Sequence, residues 1–292
     1  MSVVAGLAPL SKYPGVASEA GLLELNGIRL YVERHVGDGV DPAATPVLGL
    51  HGVGGSADSM GLEVQGLAGD RPVVVYDARG HGRSTRPQRF GIDDHVADAL
   101  AVLDALGVDR FAVLGVSMGS YVAPNVAAAA PDRAVALVLV VPKAYGDESS
   151  TARYMRENPE RFAGRSPEEL AEVMFDVIVS PTHSPDERAA LAAAMAAVNR
   201  PELMLSPLEF QRANEALAGF DNRPVLATPV CPVLVISGED DVLNPPADGE
   251  VVAAAAPGSR FVVVQGAGHA LALERTAEYL ALVRPFLASP LG

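Results

Sequence analysis

The sequence of 292 residues contains a single cysteine, Cys231, and is short of positive charge. One cysteine cannot form an internal disulfide, and no thiol cluster is present that could hold zinc, which favours a reducing compartment. The 22 Lys and Arg residues are outnumbered by 36 Asp and Glu, giving a formal net charge of -14. Such a surface cannot neutralise phosphates, so nucleic acid and anionic membranes are poor partners.

The sequence also lacks the features of secreted, membrane and disordered chains. Its amino-terminal region has no basic start followed by an apolar run, so we expect no signal peptide and a cytoplasmic protein. The one long uncharged stretch, residues 111–131, is interrupted by glycine, serine and proline and is followed by Asp132 and Arg133, which is atypical of a lipid-facing helix. Apolar residues make up 49% of the chain, which excludes disorder.

Short apolar runs alternate with helical patterns through most of the chain. Asn26-Gly27 is a hairpin signal between two strands within residues 22–34, so the sheet is expected to start antiparallel. Six further runs rich in Val, Leu and Ile fit parallel strands covered on both faces: residues 45–50, 73–76, 111–116, 137–141, 233–236 and 261–264. Helical patterns follow at residues 94–106, 118–130, 248–256 and 276–287. This order predicts an α/β fold with a mostly parallel, doubly wound sheet of eight strands.

The alternation stops between Val141 and Val233, where no convincing strand pattern is found. Four segments there start near Ser, Pro or Asp and carry Ala, Leu and Met at helical spacing: residues 149–162, 167–179, 185–198 and 206–217. We therefore predict a core of residues 1–141 and 227–292, with a helical cap of residues 142–226 inserted after the sixth strand.

The predicted cap carries more apolar side chains than a short solvated bundle needs to pack on itself. Some are expected to line a pocket, and packing onto the sheet is the alternative. A lid of this kind excludes long chains, and the negative net charge repels anions, so a compact neutral substrate is expected. The apolar side chains of the cap include Met155, Phe162, Leu170, Met174, Phe175, Val179, Leu191, Met195, Leu203, Met204 and Phe210.

The segment from Gly115 to Gly119 (GVSMG) stands where a predicted buried strand meets a helix. A sharp turn at this point lifts the hydroxyl of Ser117 clear of the sheet, and the flanking glycines relieve crowding against neighbouring backbone. The amino end of the helix points its amides at the same place, where they can stabilise a developing negative charge. Ser117 is therefore the candidate nucleophile.

Residues 51–56 (HGVGGS) directly follow a predicted strand, and their glycines allow backbone amides to approach a substrate oxygen. We predict that the amides of Met118 and Val53 form an oxyanion hole, with Gly54 as the alternative to Val53. No Gly-x-x-x-x-Gly-Lys or Gly-x-Gly-x-x-Gly pattern is present in this segment, which disfavours a phosphate-binding loop.

Two later turns carry a cluster of carboxylates and a histidine. Residues 237–242 (SGEDDV) follow a predicted strand and contain Glu239, Asp240 and Asp241, and GAGH ends on His269 after the last strand. The order Ser, acid, His is that of hydrolases in which serine attacks, histidine takes its proton and a carboxylate fixes the histidine tautomer. The spacing alone leaves all three carboxylates open as the acid.

Together these segments resemble the α/β-hydrolase superfamily, in particular its single-domain bacterial esterase, lactonase and carbon-carbon hydrolase branches. The resemblance covers residues 22–288 and implies Asp241 as the acid, since in similar proteins this residue lies three after the strand glycine. Many relatives carry histidine where this chain has Val116, so their substrates do not transfer to it. The matching motifs are HG at 51–52, DARGHGRS at 77–84, GVSMG at 115–119, GEDD at 238–241, and GAGH at 266–269 with LER behind it.

The resemblance implies a serine hydrolase that cleaves an ester, thioester or lactone of a small, mainly apolar molecule through an acyl-enzyme on Ser117. Hydrolysis of a carbon-carbon bond in a diketone uses the same residues and is the alternative, for which Lys143 is the candidate cation. A ligand receptor without turnover is a further alternative, against which the complete set of three groups argues. No metal or cofactor is implied, and a monomer or homodimer is expected.

The remaining histidines and two arginines are expected to have structural or solvent-facing roles. His51 and His81 lie in glycine-rich turns, where an imidazole commonly bonds to backbone. Arg79 and Arg83 are expected to form internal salt bridges in preference to binding a substrate anion. Solvated positions are expected for the histidines that no motif surrounds, which are His35, His95 and His183.

Overall fold

The computed structural model describes residues 6–198 and 200–288, and these contain eleven strands. In chain order they are β1 (Ala8–Leu10), β2 (Val16–Leu25), β3 (Ile28–Gly37), β4 (Val47–Leu50), β5 (Val73–Tyr76), β6 (Phe111–Val116), β7 (Ala134–Val140), β8 (Tyr145–Gly146), β9 (Phe220–Asp221), β10 (Val233–Gly238) and β11 (Arg260–Val264). Nine of them form one sheet in the order β1-β2-β3-β5-β4-β6-β7-β10-β11, and β8 pairs with β9.

The main sheet is parallel from β5 to β11 and antiparallel at the edge formed by β1, β2 and β3. The mostly parallel α/β sheet predicted from the sequence is thus confirmed, and the hairpin turns at Asn26 and Gly27, both with positive φ. Where the sequence predicted eight strands, the described residues give nine. The added strand is β1, whose three mostly exposed residues are too few to leave a hydrophobic pattern.

The same described residues form twelve α-helices. They are α1 (Gly61–Leu67), α2 (Ile92–Ala105), α3 (Met118–Ala129), α4 (Ser150–Glu157), α5 (Pro159–Phe162), α6 (Pro167–Ile178), α7 (Pro185–Val198), α8 (Pro207–Glu215), α9 (Arg223–Leu226), α10 (Pro246–Ala255), α11 (Leu271–Glu274) and α12 (Thr276–Ala288). Helices α2, α3 and α10 pack with one apolar face of the sheet, whereas α1, α11 and α12 pack with the other. Two buried clusters therefore sandwich the sheet.

The long uncharged stretch at residues 111–131 is a buried strand followed by a helix. It forms β6 and α3, and both are buried along most of their length, as the sequence predicted. Within the described part of the chain, no helix is long and apolar enough to cross a membrane.

Residues 142–226, called the cap segment below, contain helices α4 to α9 and the short strand pair. The sequence predicted no strand here, which is wrong, because β8 and β9 pair between Tyr145 and Asp221. Two residues per strand are too few to show an alternating pattern. The division into core and cap stays a prediction, and its outermost residues, 1–5 and 289–292, lie outside the described residues.

Candidate active site

Ser117 stands at the turn between β6 and α3 in a strained backbone conformation. Its φ is 52° and its ψ is -116°, a combination that non-glycine residues rarely adopt. The flanking glycines are required by close approach: a Cβ on Gly115 would lie 2.2 Å from the carbonyl oxygen of Gly119, and one on Gly119 would lie 2.0 Å from that of Leu50. The turn is therefore packed tightly against the end of β4, and Ser117 itself is half-buried.

His269 joins Ser117 to Asp241 in a continuous chain of hydrogen bonds. The hydroxyl Oγ of Ser117 lies 2.9 Å from Nε2 of His269, and Nδ1 of His269 lies 2.8 Å from Oδ2 of Asp241. Because an ionised carboxylate only accepts, Nδ1 carries the proton and donates it, which leaves Nε2 free to accept from the serine. The histidine side chain is 12% exposed and the aspartate side chain is fully buried.

The structure distinguishes the three carboxylates that the spacing left open. Asp241 Oδ1 accepts the backbone N–H groups of Leu243 and Asn244 at 2.9 and 3.0 Å, which turns its other oxygen toward the histidine. Asp240 accepts the hydroxyl of Ser180 at 2.6 Å, and Glu239 accepts a backbone amide of the histidine loop. Of the three carboxylates, Asp241 is the one bonded to the imidazole.

A buried amide next to this turn was not revealed by any motif. Asn244 donates from Nδ2 to the carbonyl oxygen of Val141 at 2.6 Å and accepts the hydroxyl of Ser150 on Oδ1. Val141 has a φ of 46°, which is an outlier for a β-branched residue. Asn244 therefore ties the strained end of β7 and the start of α4 to the turn that holds Asp241. Its partners lie 103 and 94 residues away, so sequence spacing could not show the contact.

The predicted oxyanion loop lies directly beside Ser117. A Cβ on Gly52 would be 3.4 Å from the Ser117 Cβ, and the amide of Gly55 donates to the carbonyl of Gly52 at 3.1 Å, so Val53 and Gly54 form the tip of a tight turn. Gly54 has a φ of 75°, which favours glycine at this point. The choice of Val53 and Met118 as donor amides stays a prediction.

Two histidines hold the backbone around this loop, as the sequence predicted. His51 donates from Nδ1 to the carbonyl oxygen of Gly52 at 2.7 Å and accepts the amide of Ala78 on Nε2 at 2.9 Å. Burial lowers the pKa of His51, so the ring is neutral and can play both parts. Nδ1 of His81 lies 3.0 Å from the carbonyl oxygen of Arg79. Burial lowers the pKa of His81 well below its ordinary value.

Internal ion pairs occupy both arginines of the loop at residues 77–84. Arg79 makes a two-point contact with the buried Asp98 at 2.7 and 2.8 Å. Arg83 binds Asp77 at 3.0 Å and its guanidinium stacks 4.1 Å from the centre of the Tyr31 ring. The expectation of internal salt bridges is confirmed for both residues.

Part of the cap segment lies over the oxyanion loop. A Cβ on Gly54 would be 3.7 Å from the Phe210 ring of α8. Arg86 of the core reaches the same region, donating to the carbonyl oxygen of Leu203 at 3.1 Å and to the carboxylate of Glu209 at 3.0 Å. The cap segment thus places an aromatic side chain against Gly54 of the loop that lies beside Ser117.

A serine, a histidine and a carboxylate at the ends of three parallel strands point to a known fold. The sequence model of the alpha/beta hydrolase fold family matches residues 45–276 of the chain. The chain belongs to this family. As an alpha/beta hydrolase it is an enzyme of the hydrolase class.

Several relatives match this alpha/beta hydrolase along almost their whole length. The proline iminopeptidase of Heyndrickxia coagulans is 26% identical over 92% of this chain and 98% of its own. Among solved structures, the enol-lactonase of Burkholderia xenovorans LB400 has a TM-score of 0.78 and 25% identity, covering 92% of this chain and all of its own. An N-acyl homoserine lactone degrading enzyme has a TM-score of 0.74 and 26% identity over 91% and 99% of the two chains.

The three histidines expected at solvated positions in the hydrolase are buried, so that prediction is wrong. His35 contacts Glu33 at 3.0 Å and Ser18 at 2.7 Å, and His183 contacts Glu274 at 3.0 Å. His95 packs edge-on against an aromatic ring, and burial lowers its pKa to about 3. A hydrogen-bonding partner or a ring contact accompanies each of these buried imidazoles. The partners range from Glu33, two residues from His35, to Glu274, 91 residues from His183.

The cation considered for carbon-carbon cleavage is engaged inside the cap segment. Lys143 donates from Nζ to the carbonyl oxygen of Glu148 at 3.3 Å, and its pKa is lowered by burial and by the nearby Arg153. No group of three or more His, Cys, Asp or Glu side chains is placed to hold a metal ion within residues 6–198 and 200–288 of this hydrolase.

Proposed function

We propose that the enzyme hydrolyses an ester, thioester or lactone of a small, mainly apolar molecule through an acyl-enzyme on Ser117. The observation that carries the proposal is the chain of hydrogen bonds from Ser117 through His269 to the buried Asp241, with distances of 2.9 and 2.8 Å. A hydroxyl in this arrangement has a base to receive its proton as it attacks a carbonyl carbon.

The acylation step uses each of the three side chains in turn. Oγ of Ser117 attacks the carbonyl carbon while its proton passes to Nε2 of His269, and the carboxylate of Asp241 stabilises the imidazolium that results. The negative oxygen of the tetrahedral intermediate is bound by the amides of Met118 and Val53. The intermediate collapses when His269 returns the proton to the leaving alcohol or thiol.

Water completes the cycle by the same route. His269 takes a proton from the water, and the resulting hydroxide adds to the acyl carbon. When the second intermediate collapses, the bond to Oγ breaks, His269 returns the proton to Oγ, and the acid is released. In a lactone the leaving alcohol stays attached to the acyl group, so a single open-chain product results.

The surroundings of Ser117 support a compact neutral substrate. Phe210 overlies the oxyanion loop, and most apolar side chains of the cap segment are only half-buried, which leaves them available to contact an apolar acyl group. Lys143, the cation considered for a diketone, donates to the carbonyl of Glu148, and none of its described hydrogen bonds joins it to Ser117, Asp241 or His269. Similar solved structures include an enol-lactonase and a lactone-degrading enzyme, which supports esters and lactones as the first class to test.

The proposal is tested with a fluorophosphonate probe and a substrate panel. We expect one equivalent of the probe to react at Ser117 and the Ser117→Ala variant to remain unlabelled. Ser259→Ala is the matched control, because its hydroxyl bonds to a helix carbonyl remote from His269, and it is expected to label like the wild type.

The panel contains p-nitrophenyl esters, acyl-CoAs, lactones and a vinylogous diketone, and we expect kcat/KM to be highest for a neutral ester or lactone. Labelling of Ser117→Ala at the wild-type rate would refute the nucleophile. A higher kcat/KM for the diketone than for every ester and lactone would refute the reaction class.

A further inference from the structure

The backbone on both sides of His269 is bonded to groups outside its own loop. The amide of Gly268 donates to Oε1 of Glu274 at 2.9 Å, and the amide of Ala270 donates to the carbonyl oxygen of Ile178 at 2.9 Å. The imidazole is therefore carried by a three-residue segment whose two flanking amides are fixed. One of the two anchors is a side chain, and the other is the end of helix α6 in the cap segment.

Glu274 binds the cap segment as well as the histidine loop. Its other oxygen, Oε2, accepts the backbone N–H of Ser180 at 2.8 Å and the Nε2–H of His183 at 3.0 Å. The Glu274 side chain is fully buried and the His183 side chain is 3% exposed. A buried carboxylate that accepts three N–H groups is stabilised by charge-assisted hydrogen bonds. Glu274 lies between the backbone of the histidine loop at Gly268 and that of the cap segment at Ser180.

The backbone at Gly268 is in close van der Waals contact with the backbone of residues 178–180. A Cβ on Gly268 would lie 2.6 Å from the carbonyl oxygen of Ile178 and 2.8 Å from the nitrogen of Ser180. The hydroxyl of Ser180 also donates to Asp240, next to the carboxylate that orients the imidazole. A shift of residues 178–180 is therefore transmitted directly to the segment that carries His269.

We propose that Glu274 is a positioning residue that fixes the imidazole of His269 by clamping Gly268 to Ser180 and His183 of the cap segment. The inference rests on the proposed function, because it assigns Glu274 to the geometry of that same reaction. An amide in place of the carboxylate has one acceptor oxygen and one donor nitrogen, so the nitrogen would face an N–H group. One of the hydrogen bonds from Gly268, Ser180 or His183 would then be lost, and the imidazole of His269 would shift away from the hydroxyl of Ser117.

The test compares Glu274→Gln with Glu278→Gln, which removes the same charge from an exposed position four residues along. For Glu274→Gln we expect kcat per probe-labelled site to fall about 10-fold to 100-fold with KM within threefold of the wild type, since a displacement of about 1 Å in a catalytic group costs up to about 100-fold. The rate of fluorophosphonate labelling should fall by the same factor. Glu278→Gln should match the wild type in both measurements.

His183 supplies a second pair of variants in case Glu274→Gln does not fold. His183→Gln keeps an N–H that can face the carboxylate and should stay within threefold of the wild-type kcat, whereas His183→Leu removes it and should lower kcat. An equal kcat in these two variants would overturn the clamp, as would a Glu274→Gln protein whose kcat per labelled site equals that of the wild type.

Nuclear magnetic resonance separates failure of the clamp from failure of the proposed function. The Nδ1–H of His269, bonded to Asp241, is observed directly in the wild type and in Glu274→Gln. If the wild type neither labels nor hydrolyses any substrate, the proposed function fails. In that case a changed or broadened Nδ1–H signal in Glu274→Gln still supports the clamp, and an unchanged signal refutes it.

Discussion

The sheet and the cap segment differ in how firmly their residues are held. Strands β4, β5, β7 and β10 are buried along their whole length, whereas helix α7 of the cap segment contains no buried residue over its 14 positions. Ser117, Asp241 and His269 all follow strands of the sheet. The three side chains of the proposed reaction are thus placed by buried strands and, for His269, also by the buried Ser180 and His183 of the cap segment. The exposed helix α7 is free to vary.

The largest expected difference is between neighbouring carboxylates in the turn after β10. Asp241→Asn should lower kcat by about 10⁴-fold, because an amide facing Nδ1 disfavours the tautomer that accepts the Ser117 proton. Asp240→Asn, one residue earlier, should cost less than about tenfold, since this carboxylate bonds to Ser180 and not to the imidazole. Steady-state kinetics on one ester decide the matter, and equal losses would contradict the assignment of the acid.

An alanine substitution at one glycine of each region measures how well the turn at Ser117 and the cap segment tolerate an added methyl group. Gly119→Ala should lower the free energy of unfolding by at least about 3 kcal/mol, because its Cβ would lie 2.0 Å from the carbonyl oxygen of Leu50. Gly164→Ala in the cap segment should cost only about 1 kcal/mol, which reflects its positive φ, since no described atom lies within 4 Å. Urea unfolding measures both, and similar losses would show that the turn at Ser117 can relax.

Substitution of Phe210 in the cap segment should alter the preference for acyl chain length more than the rate of the chemical step. Phe210→Ala is expected to lower kcat/KM for a medium-chain ester by about tenfold, which corresponds to losing about half of the burial energy of an aromatic side chain. The acetate ester should change less than about threefold, because a short acyl group does not reach this ring. Leu208→Ala on the same helix is the control, since its side chain is 53% exposed. Equal effects on both esters would mean that Phe210 acts on structure.

The smallest expected effect is a pH dependence of stability that belongs to the core. Burial raises the pKa of Glu63, which accepts the hydroxyl of Tyr279 at 3.1 Å. A raised pKa favours the protonated acid in the folded state, so this stabilisation is present at low pH and is lost as the pH rises through the folded pKa.

Glu63→Gln should therefore match the wild type in thermal unfolding at pH 4 and be the more stable of the two at pH 8. Glu172→Gln, which removes the same charge from an exposed position of the cap segment, is the matched control. A Glu63→Gln difference that does not change with pH would show that Glu63 titrates as an exposed group does.

The sequence predicted the buried region more accurately than the exposed one. The strands at 73–76 and 111–116 begin and end where their apolar runs do. The helix predicted at 149–162 is instead divided into α4 and α5, because Pro159 cannot continue the hydrogen bonding of α4. Apolar runs report burial against a sheet directly, whereas helices on the surface are limited by local breaks and by contacts that no pattern records.

The site residues likewise differ in how well the sequence predicted them. Ser117 and His269 stand in local motifs, and the choice of Asp241 needed the family resemblance because three carboxylates share one turn. The pair of His183 and Glu274 could not be predicted, since the two residues are 91 positions apart and neither stands in a motif with an assigned role. Reactive side chains at tight turns are accompanied by glycine motifs that can be recognised in the sequence. A buried hydrogen bond between distant segments is accompanied by no such motif.

The separation of Ser117 and His269 in the chain has a consequence for the order of folding. The two residues are 152 positions apart, and the whole cap segment is synthesised between them. Contacts between such distant segments form late, because the intervening chain must be ordered before the strands can pair. β10 and β11 are the last of the described strands to be made, so under the proposed mechanism a nascent chain carries Ser117 before His269 is in place to accept its proton. We therefore expect the enzyme to gain activity only when the sheet is complete.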